Sequence, residues 1–395
     1  MALRLTTAGE SHGPTEVAIV DGMIAGLGLS AVDLDRALAR RQVGHGRGAR
    51  QRIEQDRATI LSGVRNGFTT GAPIALVVEN VDHASWTEAM SAAPVDPADA
   101  GRLEAIAGRA IRRLRPGHAD YAGAVKYGHR DIRDVLERAS ARETVMRVAA
   151  GGVAMALLRR AGVDLTSHVV AIGGIAASAR WESLDDLRSR AEASAVRCAD
   201  PTAAAEMVAR IDAAGKAGDS LGGVVEVIAT GIPVGLGTYA QWDRRLDGRL
   251  AQAVMSIPAI KGVEFGLGFK QADLAGSEVH DVFLPGFQRP TNNAGGLEGG
   301  VTNGQVLVVR AAMKPISTLR RPLDSVTFPD GEPQPAHFER ADVCAVPAAG
   351  VVAEAMVAWV LADALLEKIG GDSASEFDAH LAATRSLWPV ALPGA

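Results

Sequence analysis

The sequence predicts an α+β fold in which helices cover a mixed or antiparallel sheet. Helical and strand patterns alternate along the 395 residues, yet they do not form regular βαβ units of about 30 residues. No predicted strand leads through a GxGxxG turn into a helix, which is how a dinucleotide-binding sheet opens. No linker rich in Pro or Ser divides the chain, so we expect a single domain over residues 1–395.

The helices are predicted from their start and stop signals. Ser30, followed by Asp33, is typical of a helix start, and this helix should end near Arg41, before the glycine-rich run 44–48. Three further helices are predicted, over residues 139–161, 243–255 and 348–369.

The strands are predicted where β-branched residues are bounded by glycine. Four such segments lie at residues 59–64, 73–79, 221–228 and 306–310. Residues 82–101 contain Pro94 and Pro97 and are predicted to form a loop. Because regular crossover helices do not separate the strands, we expect mixed or antiparallel pairing.

The composition excludes several classes of protein. Hydrophobic residues make up 47 % of the chain, which excludes a disordered protein, and 44 glycines without a G-X-Y repeat exclude collagen. Aromatic residues make up only 4 % and the net charge is −5, so we expect no nucleic-acid partner. Abundant glycine instead predicts tight turns and places where the backbone approaches a ligand closely.

The sequence also predicts a cytoplasmic protein with no membrane partner. Cys198 and Cys344 do not form a CxxC pair, which fits a reducing compartment. The first ten residues lack the apolar core of a signal peptide. The longest apolar stretch, residues 343–366, contains Glu354 and Asp363 and is therefore predicted to be a buried helix.

Arginine is concentrated in two segments of the chain. Residues 36–57 and 102–147 each carry a local charge of +5, so the remaining residues carry −15. Arg41 and Arg47 flank glycines, whose backbone N–H groups can join guanidinium groups around an anion. A solvated helical face explains any single arginine equally well. The clustering favours a pocket for a small, highly anionic ligand.

Two histidines lie in turn-forming sequences. His12 lies within Gly9–Gly13, where flanking glycines allow a sharp turn that presents polar side chains. His118 follows Pro116-Gly117, and Asp120 is near enough in sequence to orient its ring. An ordinary surface turn explains either histidine alone. Neither has a second His or Cys at metal-ligand spacing, so no metal site is predicted.

Three further segments suit phosphate or a flat heterocycle. Arg138 and Arg142 lie four residues apart around Ser140 and are predicted to share a face near the amino end of a helix, which attracts phosphate. Five glycines between residues 291 and 304 offer a backbone cradle. The segment Lys314–Thr318 adds a cation and two hydroxyl groups.

One carboxylate lies just before the last predicted helix. Asp342 follows Arg340 by two residues, so it is either a salt-bridge partner or a base that the guanidinium keeps ionised. The sequence contains no Walker A motif, no GxSxG elbow and no HExxH motif. ATP-dependent transfer, serine hydrolysis and zinc proteolysis are therefore disfavoured.

In their order and spacing these segments resemble the chorismate synthase family over nearly the whole chain. The resemblance rests on four blocks: Ala8–Gly13, Gly117–Thr144, Gly295–Gly304 and Arg340–Pro347. It implies an α+β sandwich of helices between antiparallel sheets, assembled as a homotetramer. It also implies a 1,4-anti-elimination of phosphate from 5-enolpyruvylshikimate 3-phosphate that requires reduced FMN and gives chorismate, the last common step of the shikimate pathway.

The resemblance also implies roles for individual residues. His12 would protonate the departing phosphate, His118 would protonate the reduced flavin, and Asp342 would assist removal of the ring proton. Arg41 and Arg47 match positions that bind substrate anions or a nicotinamide nucleotide. NADPH and an external flavin reductase are therefore candidate sources of reducing equivalents. The positions that match FMN contacts are Arg138, Ala139, Ser140, Ala259, Gly299, Lys314, Pro315, Ile316, Ser317, Thr318 and Arg340.

Three positions depart from the family pattern. Pro258 stands where relatives usually have Gln, and proline offers neither an amide side chain nor an N–H, so Ala259 is left to pack on the flavin. Ala341 replaces the usual Ser, and His45 stands where Tyr is common. We expect these changes to alter affinity more than reaction type.

Two other functions are open at this point. One is a catalytically weakened homologue that binds FMN or other anions, against which the presence of His12, His118 and Asp342 together argues. The other is a flavin-dependent oxidoreductase with net hydride transfer, which the missing GxGxxG opening disfavours.

Overall fold

The architecture is layered, with helices packed between two antiparallel sheets. The computed structural model describes residues 2–48, 55–178, 180–339 and 341–386. The strands in these ranges are β1 (Arg4–Gly9), β2 (Thr15–Asp21), β3 (Thr59–Ile60), β4 (Val64–Arg65), β5 (Phe68–Thr69), β6 (Ile74–Glu79), β7 (Asp164–Ile172), β8 (Ile175–Ala176), β9 (Gly223–Thr230), β10 (Ile260–Phe265), β11 (Leu297–Glu298), β12 (Val301–Thr302), β13 (Leu307–Met313), β14 (Asp324–Val326) and β15 (Pro333–Pro335).

The α-helices of the same ranges include two long ones, which form the centre of the molecule. They are α1 (Ala31–Gln42), α2 (Ala100–Arg109), α3 (Asp120–Tyr127), α4 (Arg133–Ala139), α5 (Thr144–Arg160), α6 (Leu184–Ala193), α7 (Pro201–Lys216), α8 (Leu246–Met255), α9 (Gly276–Val279), α10 (Val346–Ile369) and α11 (Ala374–Ser386).

The two main sheets are wholly antiparallel. One has the strand order β1-β2-β6-β3, and the other has the order β10-β13-β9-β7-β8. The strand pairs β4–β5, β11–β12 and β14–β15 form separate hairpins. The α+β prediction is confirmed, with antiparallel rather than mixed sheets.

The helix layer consists mainly of α5, α10 and α1. α5 packs on the first sheet, α10 packs on the second, and the two helices pack against each other, with α1 beside both. Both long helices are apolar on all sides because neighbours enclose them. The largest cluster of buried apolar side chains runs from Leu3 to Leu381 and joins both sheets to this layer.

α10 carries two buried carboxylates, and each has polar partners. Glu354 accepts two hydrogen bonds from Arg40, at 2.6 and 2.9 Å, and one from the Ser167 hydroxyl at 2.8 Å. Asp363 accepts the backbone N–H of Leu3 at 2.7 Å and pairs with Arg249. Among the described residues, α10 is the one helix long and apolar enough to span a membrane, and its apolar window is entirely buried in the protein.

Several predicted elements are confirmed. The helices α1, α8 and α10 and the strands β6, β9 and β13 lie within a few residues of their predicted positions. The strand predicted over 59–64 is wrong beyond Ile60, because Gly63 adopts a φ of +78° and turns the chain between β3 and β4. The loop predicted over 82–101 contains a short 3-10 turn, and its end is the start of α2.

The helix predicted over 139–161 starts later than expected. α4 ends at Ala139, Ser140 is extended with φ −65° and ψ 144°, and α5 begins only at Thr144. The sequence patterns also missed several elements altogether. These are mainly β1, β2, β7, β10, α2, α3, α4, α6, α7 and α11, together with several shorter elements.

Candidate active site

A cavity of about 800 Å³ is lined by residues of α1, α4, α5 and α10 and by several loops. Its volume is near the upper end of the range of about 300–1,000 Å³ for small-molecule sites. Among the described residues, six arginine and lysine side chains line it but only three carboxylates do. The cavity is therefore suited to an anionic ligand.

Most of the predicted site residues line this cavity. The three predicted catalytic residues, His12, His118 and Asp342, are among them, although they come from both ends and the middle of the chain. The other predicted residues in the wall are Arg41, Arg47, Ala139, Ser140, Ala259, Lys314, Pro315, Ile316, Ser317 and Thr318.

His12 is held by Glu137, a buried residue near the end of α4. One carboxylate oxygen, Oε1, lies 2.8 Å from His12 Nδ1, and the other accepts the backbone N–H of His12 at 2.8 Å. The backbone carbonyl of Glu137 also accepts the N–H of Ser11 at 3.1 Å. The second ring nitrogen of His12, Nε2, lies 3.8 Å from the Asp82 carboxylate. Because Nδ1 is occupied, Nε2 is the nitrogen that can reach a ligand.

Trp86 supports the ring of His12 by stacking. The two ring centroids are 4.0 Å apart and the planes are inclined by 26°. The guanidinium carbons of Arg109 and Arg133 lie 4.0 and 4.9 Å from the Trp86 ring centroid. Arg133 also forms an ion pair with Glu137 at 3.3 Å. Hydrogen bonding and stacking together restrain the imidazole.

His118 is paired with a second buried carboxylate. Its Nδ1 lies 2.6 Å from Oδ1 of Asp120, which is fully buried at the start of α3. Arg115 donates to both oxygens of this carboxylate, at 2.8 and 2.9 Å. Burial alone would raise the pKa of Asp120, but the hydrogen bonds from Arg115 and His118 hold that pKa well below its usual range. The expectation that Asp120 orients His118 is confirmed.

Asp342 is held by the glycine-rich loop after α1. Arg47 pairs with its Oδ2 at 2.8 Å, and the backbone N–H of Gly48 donates to its Oδ1 at 2.6 Å. The carbonyl of Gly46 accepts the N–H of Val343 at 2.8 Å, which fastens the two segments together. The buried Nε of Arg47 has no hydrogen-bond partner among the described residues.

Two buried arginines share one carboxylate behind the cavity wall. Asp56 pairs with Arg41 at 3.1 Å and with Arg142 at 2.5 Å. Arg41 also donates to the Thr144 hydroxyl at 3.0 Å, and Arg142 donates to the side-chain oxygen of Asn80 at 2.7 Å. These bonds hold both guanidinium groups rigidly where they line the cavity.

The prediction that Arg138 and Arg142 share a helix face is wrong. The chain is extended at Ser140, whose hydroxyl accepts the N–H of Arg142 at 3.3 Å and so caps the next turn. Arg138 is on the other side of this break, where it donates to two backbone carbonyls of β1 at 3.1 and 3.2 Å. Arg142 faces the cavity and Arg138 does not.

Two other predicted FMN contacts also lie elsewhere. Gly299 is in the turn between β11 and β12, with a φ of +59°, and is not part of the described cavity wall. Arg340 lies outside the described residues. The FMN contacts of Arg138, Gly299 and Arg340 therefore stay predictions.

Lys314 and the residues after it form the wall next to the His118 turn. The Lys314 ammonium group donates to the Gly117 carbonyl at 2.5 Å. Burial, together with the charge of Lys261, lowers the pKa of Lys314. The carbonyl of Ile316 accepts the Ser220 hydroxyl at 2.6 Å, which anchors the segment to the second sheet. The predicted cation and hydroxyl groups of Lys314–Thr318 thus lie together in one part of the cavity wall.

Sequence reasoning missed four groups around the histidines. Glu137, Trp86 and Arg109 surround His12, and Glu339 pairs with Arg133 at 2.9 Å. Burial opposes ionisation of Glu339, but its partners, His337 first, lower its pKa to about 2. Glu137 follows Arg133 by four residues, which is the spacing of an ion pair within a helix, but nothing in the sequence indicated that Glu137 reaches His12.

The arrangement suits proton transfer next to bound anions. Two imidazoles, each with Nδ1 on a buried carboxylate, face a cavity lined by guanidinium and ammonium groups. A histidine held in this way can give or take a proton at its other nitrogen near neutral pH. A third group, the Asp342 carboxylate, can accept a proton in the same cavity.

Comparisons with known proteins agree on one family. The family model described as Chorismate synthase matches residues 3–366. The chorismate synthase of Desulforudis audaxviator (strain MP104C) is 57 % identical over 378 residues, which cover 95 % of this chain and 95 % of that protein. The chorismate synthase of Bacillus pumilus (strain SAFR-032) is 52 % identical over 390 residues, 98 % of this chain and 99 % of that one. A solved structure described as "Crystal Structure of Chorismate Synthase" has a TM-score of 0.76 and 42 % identity and covers 97 % of both chains.

Proposed function

The chain belongs to the chorismate synthase family, and we propose on that premise that it eliminates phosphate from 5-enolpyruvylshikimate 3-phosphate to give chorismate. The reaction is a 1,4-anti-elimination that depends on reduced FMN and serves the biosynthesis of aromatic amino acids. The observation that carries the proposal is the cavity itself. Two carboxylate-held imidazoles and a third carboxylate, Asp342, face one space lined by an excess of cations.

The cavity wall fits an anionic substrate. 5-Enolpyruvylshikimate 3-phosphate carries a phosphate and two carboxylates, so its desolvation requires several fixed cations. Arg41 and Arg142 are each anchored by hydrogen bonds from behind, and Arg47 offers a buried Nε without a described partner. We propose that Arg41 and Arg47 bind the substrate anions, since guanidinium groups match carboxylate and phosphate oxygens in pairs.

The residues present also fit a reduced flavin. We propose that Ala139, Ser140, Ala259 and the segment Lys314–Thr318 hold FMN, because they offer a hydroxyl, a cation and apolar surface within one wall. Pro258 lines the same wall and offers only apolar surface there. When bound, the reduced flavin supplies electron density to the substrate as the phosphate leaves and recovers it at the end of the reaction.

His12 is proposed to be the general acid for the leaving phosphate. Its Nδ1 is engaged by Glu137, so the proton that reaches the phosphate oxygen comes from Nε2. Trp86 and the backbone bonds to Glu137 keep the ring from turning away. Neutralising the leaving group in this way lowers the cost of separating charge in the cavity.

His118 and Asp342 are proposed to complete the proton transfers. The Nδ1–H of His118 donates to Asp120, which Arg115 in turn holds by two hydrogen bonds, and this fits a role in keeping a proton at the flavin wall. Asp342 accepts the N–H of Gly48 and pairs with Arg47, and these contacts fix its side chain in the cavity wall. An ionised carboxylate at this position can accept the proton that leaves the substrate ring.

We further propose a cytoplasmic homotetramer that obtains reduced flavin from NADPH or from an external flavin reductase. The family resemblance supports these assignments. Large apolar side chains that remain on the surface also suit contacts between subunits. The most exposed of them are Tyr239, Phe269 and Trp242, at 83, 82 and 78 %.

An anaerobic assay tests the proposed reaction. The protein is incubated with 5-enolpyruvylshikimate 3-phosphate and chemically reduced FMN, and phosphate, chorismate and flavin absorbance are measured together. We expect one phosphate for each chorismate and no net flavin oxidation. Net oxidation would indicate an oxidoreductase instead, and flavin binding without either product would indicate a homologue that has lost turnover.

His12→Ala tests the proposed general acid. Removing one positioned acid should lower turnover by about 10²–10⁴-fold while FMN binding is retained. His129→Ala is the matched control, because His129 lies outside the cavity wall and pairs only with Asp134 among the described residues. Turnover of His12→Ala near that of His129→Ala would contradict the assignment.

A further inference from the structure

We propose that Glu137 is the positioning residue for His12: it fixes the proton-bearing Nδ1 and directs Nε2 into the cavity. The inference rests on the proposed role of His12 in the reaction. Glu137 does not line the cavity itself, so it acts through the histidine and not on a ligand.

Glu137 makes three separate hydrogen bonds to residues 11 and 12. Its carbonyl accepts the N–H of Ser11 at 3.1 Å, and its two carboxylate oxygens accept the N–H and the Nδ1–H of His12, each at 2.8 Å. The same residue therefore fixes the backbone and the ring together. With its side chain only 2 % exposed, little water competes for these bonds.

The bond to Nδ1 also decides the protonation pattern of the ring. An ionised carboxylate has no proton to donate, so Nδ1 must carry one. When the ring takes up a second proton, that proton is on Nε2, which faces the cavity.

Glu137 itself remains ionised despite its burial. Burial acts to raise the pKa of Glu137, but the hydrogen bonds and charge of His12, together with the charge of Arg133, lower it overall. Arg133 lies 3.3 Å from the same carboxylate oxygen and also pairs with Glu339 at 2.9 Å. The carboxylate is therefore shared between a permanent cation and the histidine.

Other charged groups face His12 from the neighbouring elements. Asp82 lies 3.8 Å from Nε2 and is 40 % exposed, and His83 bonds through Nδ1 to the His12 carbonyl at 2.9 Å. Arg109 approaches only through the Trp86 ring. None of them holds Nδ1, and the exposed Asp82 carboxylate is screened by water. Of these charged groups, Glu137 is thus the one that bonds to Nδ1 and fixes the orientation of the ring.

Glu137→Gln tests the proposal by removing the charge while keeping the shape. A glutamine side chain can donate to Nδ1 as well as accept from it, so Glu137→Gln no longer requires the proton on Nδ1. We expect nitrogen NMR of labelled histidine to show a smaller share of the His12 tautomer that carries its proton on Nδ1. We expect kcat to fall by about 10–100-fold, as for other partners that orient a histidine, with KM changed less than kcat.

Two further variants separate positioning from folding. Glu226→Gln is the matched control, because Glu226 is a buried carboxylate 3.0 Å from His168 but lies outside the cavity wall. It should leave the His12 tautomer unchanged. Glu137→Asp keeps a group that only accepts hydrogen bonds, so the share of the Nδ1–H tautomer should stay closer to that of the unmodified protein than in Glu137→Gln.

The NMR measurement needs no substrate, so it decides this proposal independently of the reaction. An unchanged His12 tautomer in Glu137→Gln, or equal tautomer shares in Glu137→Gln and Glu137→Asp, would overturn it. Should Glu137→Gln not fold, Glu137→Asp replaces it: its carboxylate is one methylene further from Nδ1, so kcat should fall with KM changed less, and an unchanged kcat would then overturn it. Failure of the anaerobic assay would instead contradict the proposed function.

Discussion

At the scale of single residues, the same device occurs twice in the cavity. His12 and His118 each bond through Nδ1 to a buried carboxylate, Glu137 or Asp120, at 2.8 and 2.6 Å. In each case an arginine pairs with the same carboxylate oxygen as the histidine, at 3.3 Å for Glu137 and 2.8 Å for Asp120. The histidines are thereby oriented, and their carboxylates stay ionised although they are buried.

Glu16 on β2 is a buried carboxyl group whose pKa is raised, whereas the pKa values of Glu137 and Asp120 are lowered. It is 1 % exposed, its Oε2 has no hydrogen-bond partner among the described residues, and Arg138 lies 3.8 Å away. Burial outweighs the attraction of the arginines and raises the pKa of Glu16 to about 7. Since the folded form binds this proton more tightly than the unfolded chain, stability is lost as the pH rises from about 4.5 through 7.

Glu16→Gln should therefore stabilise the protein in a pH-dependent way. At pH 8 we expect the free energy of unfolding to rise by about 1–3 kcal/mol, and at pH 4.5 we expect almost no change. Urea unfolding at both pH values measures the difference. The exposed Glu104→Gln variant serves as control, and an equal effect of Glu16→Gln at both pH values would contradict the assignment.

At the scale of elements, the break between α4 and α5 shapes the site. Because the chain is extended at Ser140, the end of α4 lies against residues 11–12, while Arg142 enters the wall from a new turn. The Ser140 hydroxyl also bonds to that of Ser11 at 3.2 Å. In one continuous helix, Arg138 and Arg142 would instead lie on a common face.

The contact between α5 and α10 depends on a glycine. A Cβ placed on Gly151 would lie 2.7 Å from Cα and 3.0 Å from the carbonyl oxygen of Ala355 on α10. Both distances are to backbone atoms, which cannot move without separating the helices. The close approach of the two central helices thus requires a residue without a side chain.

Gly151→Ala should destabilise the protein by about 1–3 kcal/mol, because it overpacks the helix layer. Gly248→Ala is the control, since Gly248 is exposed on α8 and a Cβ there would meet nothing within 4 Å. That change should be neutral or stabilising by up to about 1 kcal/mol. Thermal or urea unfolding compares the two, and equal effects would refute the packing argument.

At the scale of the whole molecule, charge is separated by location. The net charge of −5 combines two arginine-rich segments with an acidic remainder. The described cavity wall takes Arg41 and Arg47 from the first segment and Arg109, Arg115 and Arg142 from the second. An acidic protein therefore presents a cationic cavity to its ligands. We also propose that the chain forms one domain, since its largest core cluster spans residues 3–381.

Salt should weaken capture of the anionic substrate. At saturating reduced FMN, we expect kcat/KM to fall several-fold as the ionic strength rises from about 0.02 to 0.2 M, because screening shortens the reach of the cavity's field. kcat should change little, because screening acts mainly on capture of the substrate. Measuring both parameters in NaCl and in sodium acetate at equal ionic strength separates screening from binding of a particular anion, and a constant kcat/KM would contradict the prediction.

The sequence by itself determined the family and the α+β class, and most of the site residues that it predicted do line the cavity. The family resemblance supplied many of those residues. Short-range rules suffice for the local elements, because glycine turns, the acid in the first turn of α1 and the apolar run of α10 act within a few residues. Those rules did not predict β1, β2 or β7, whose strands become evident only when their neighbours pair with them.

Tertiary structure alone decided which side chains meet. Glu137 reaches His12 and Asp342 reaches Arg47 across long stretches of chain, and no local pattern records such distances. The break at Ser140 separates Arg138 from Arg142. There the Ser140 hydroxyl bonds to the hydroxyl of Ser11 and accepts the N–H of Arg142. The physical reason is that hydrogen bonds between buried charges depend on position to within about an ångström, and only the packed helix layer and sheets fix positions that closely.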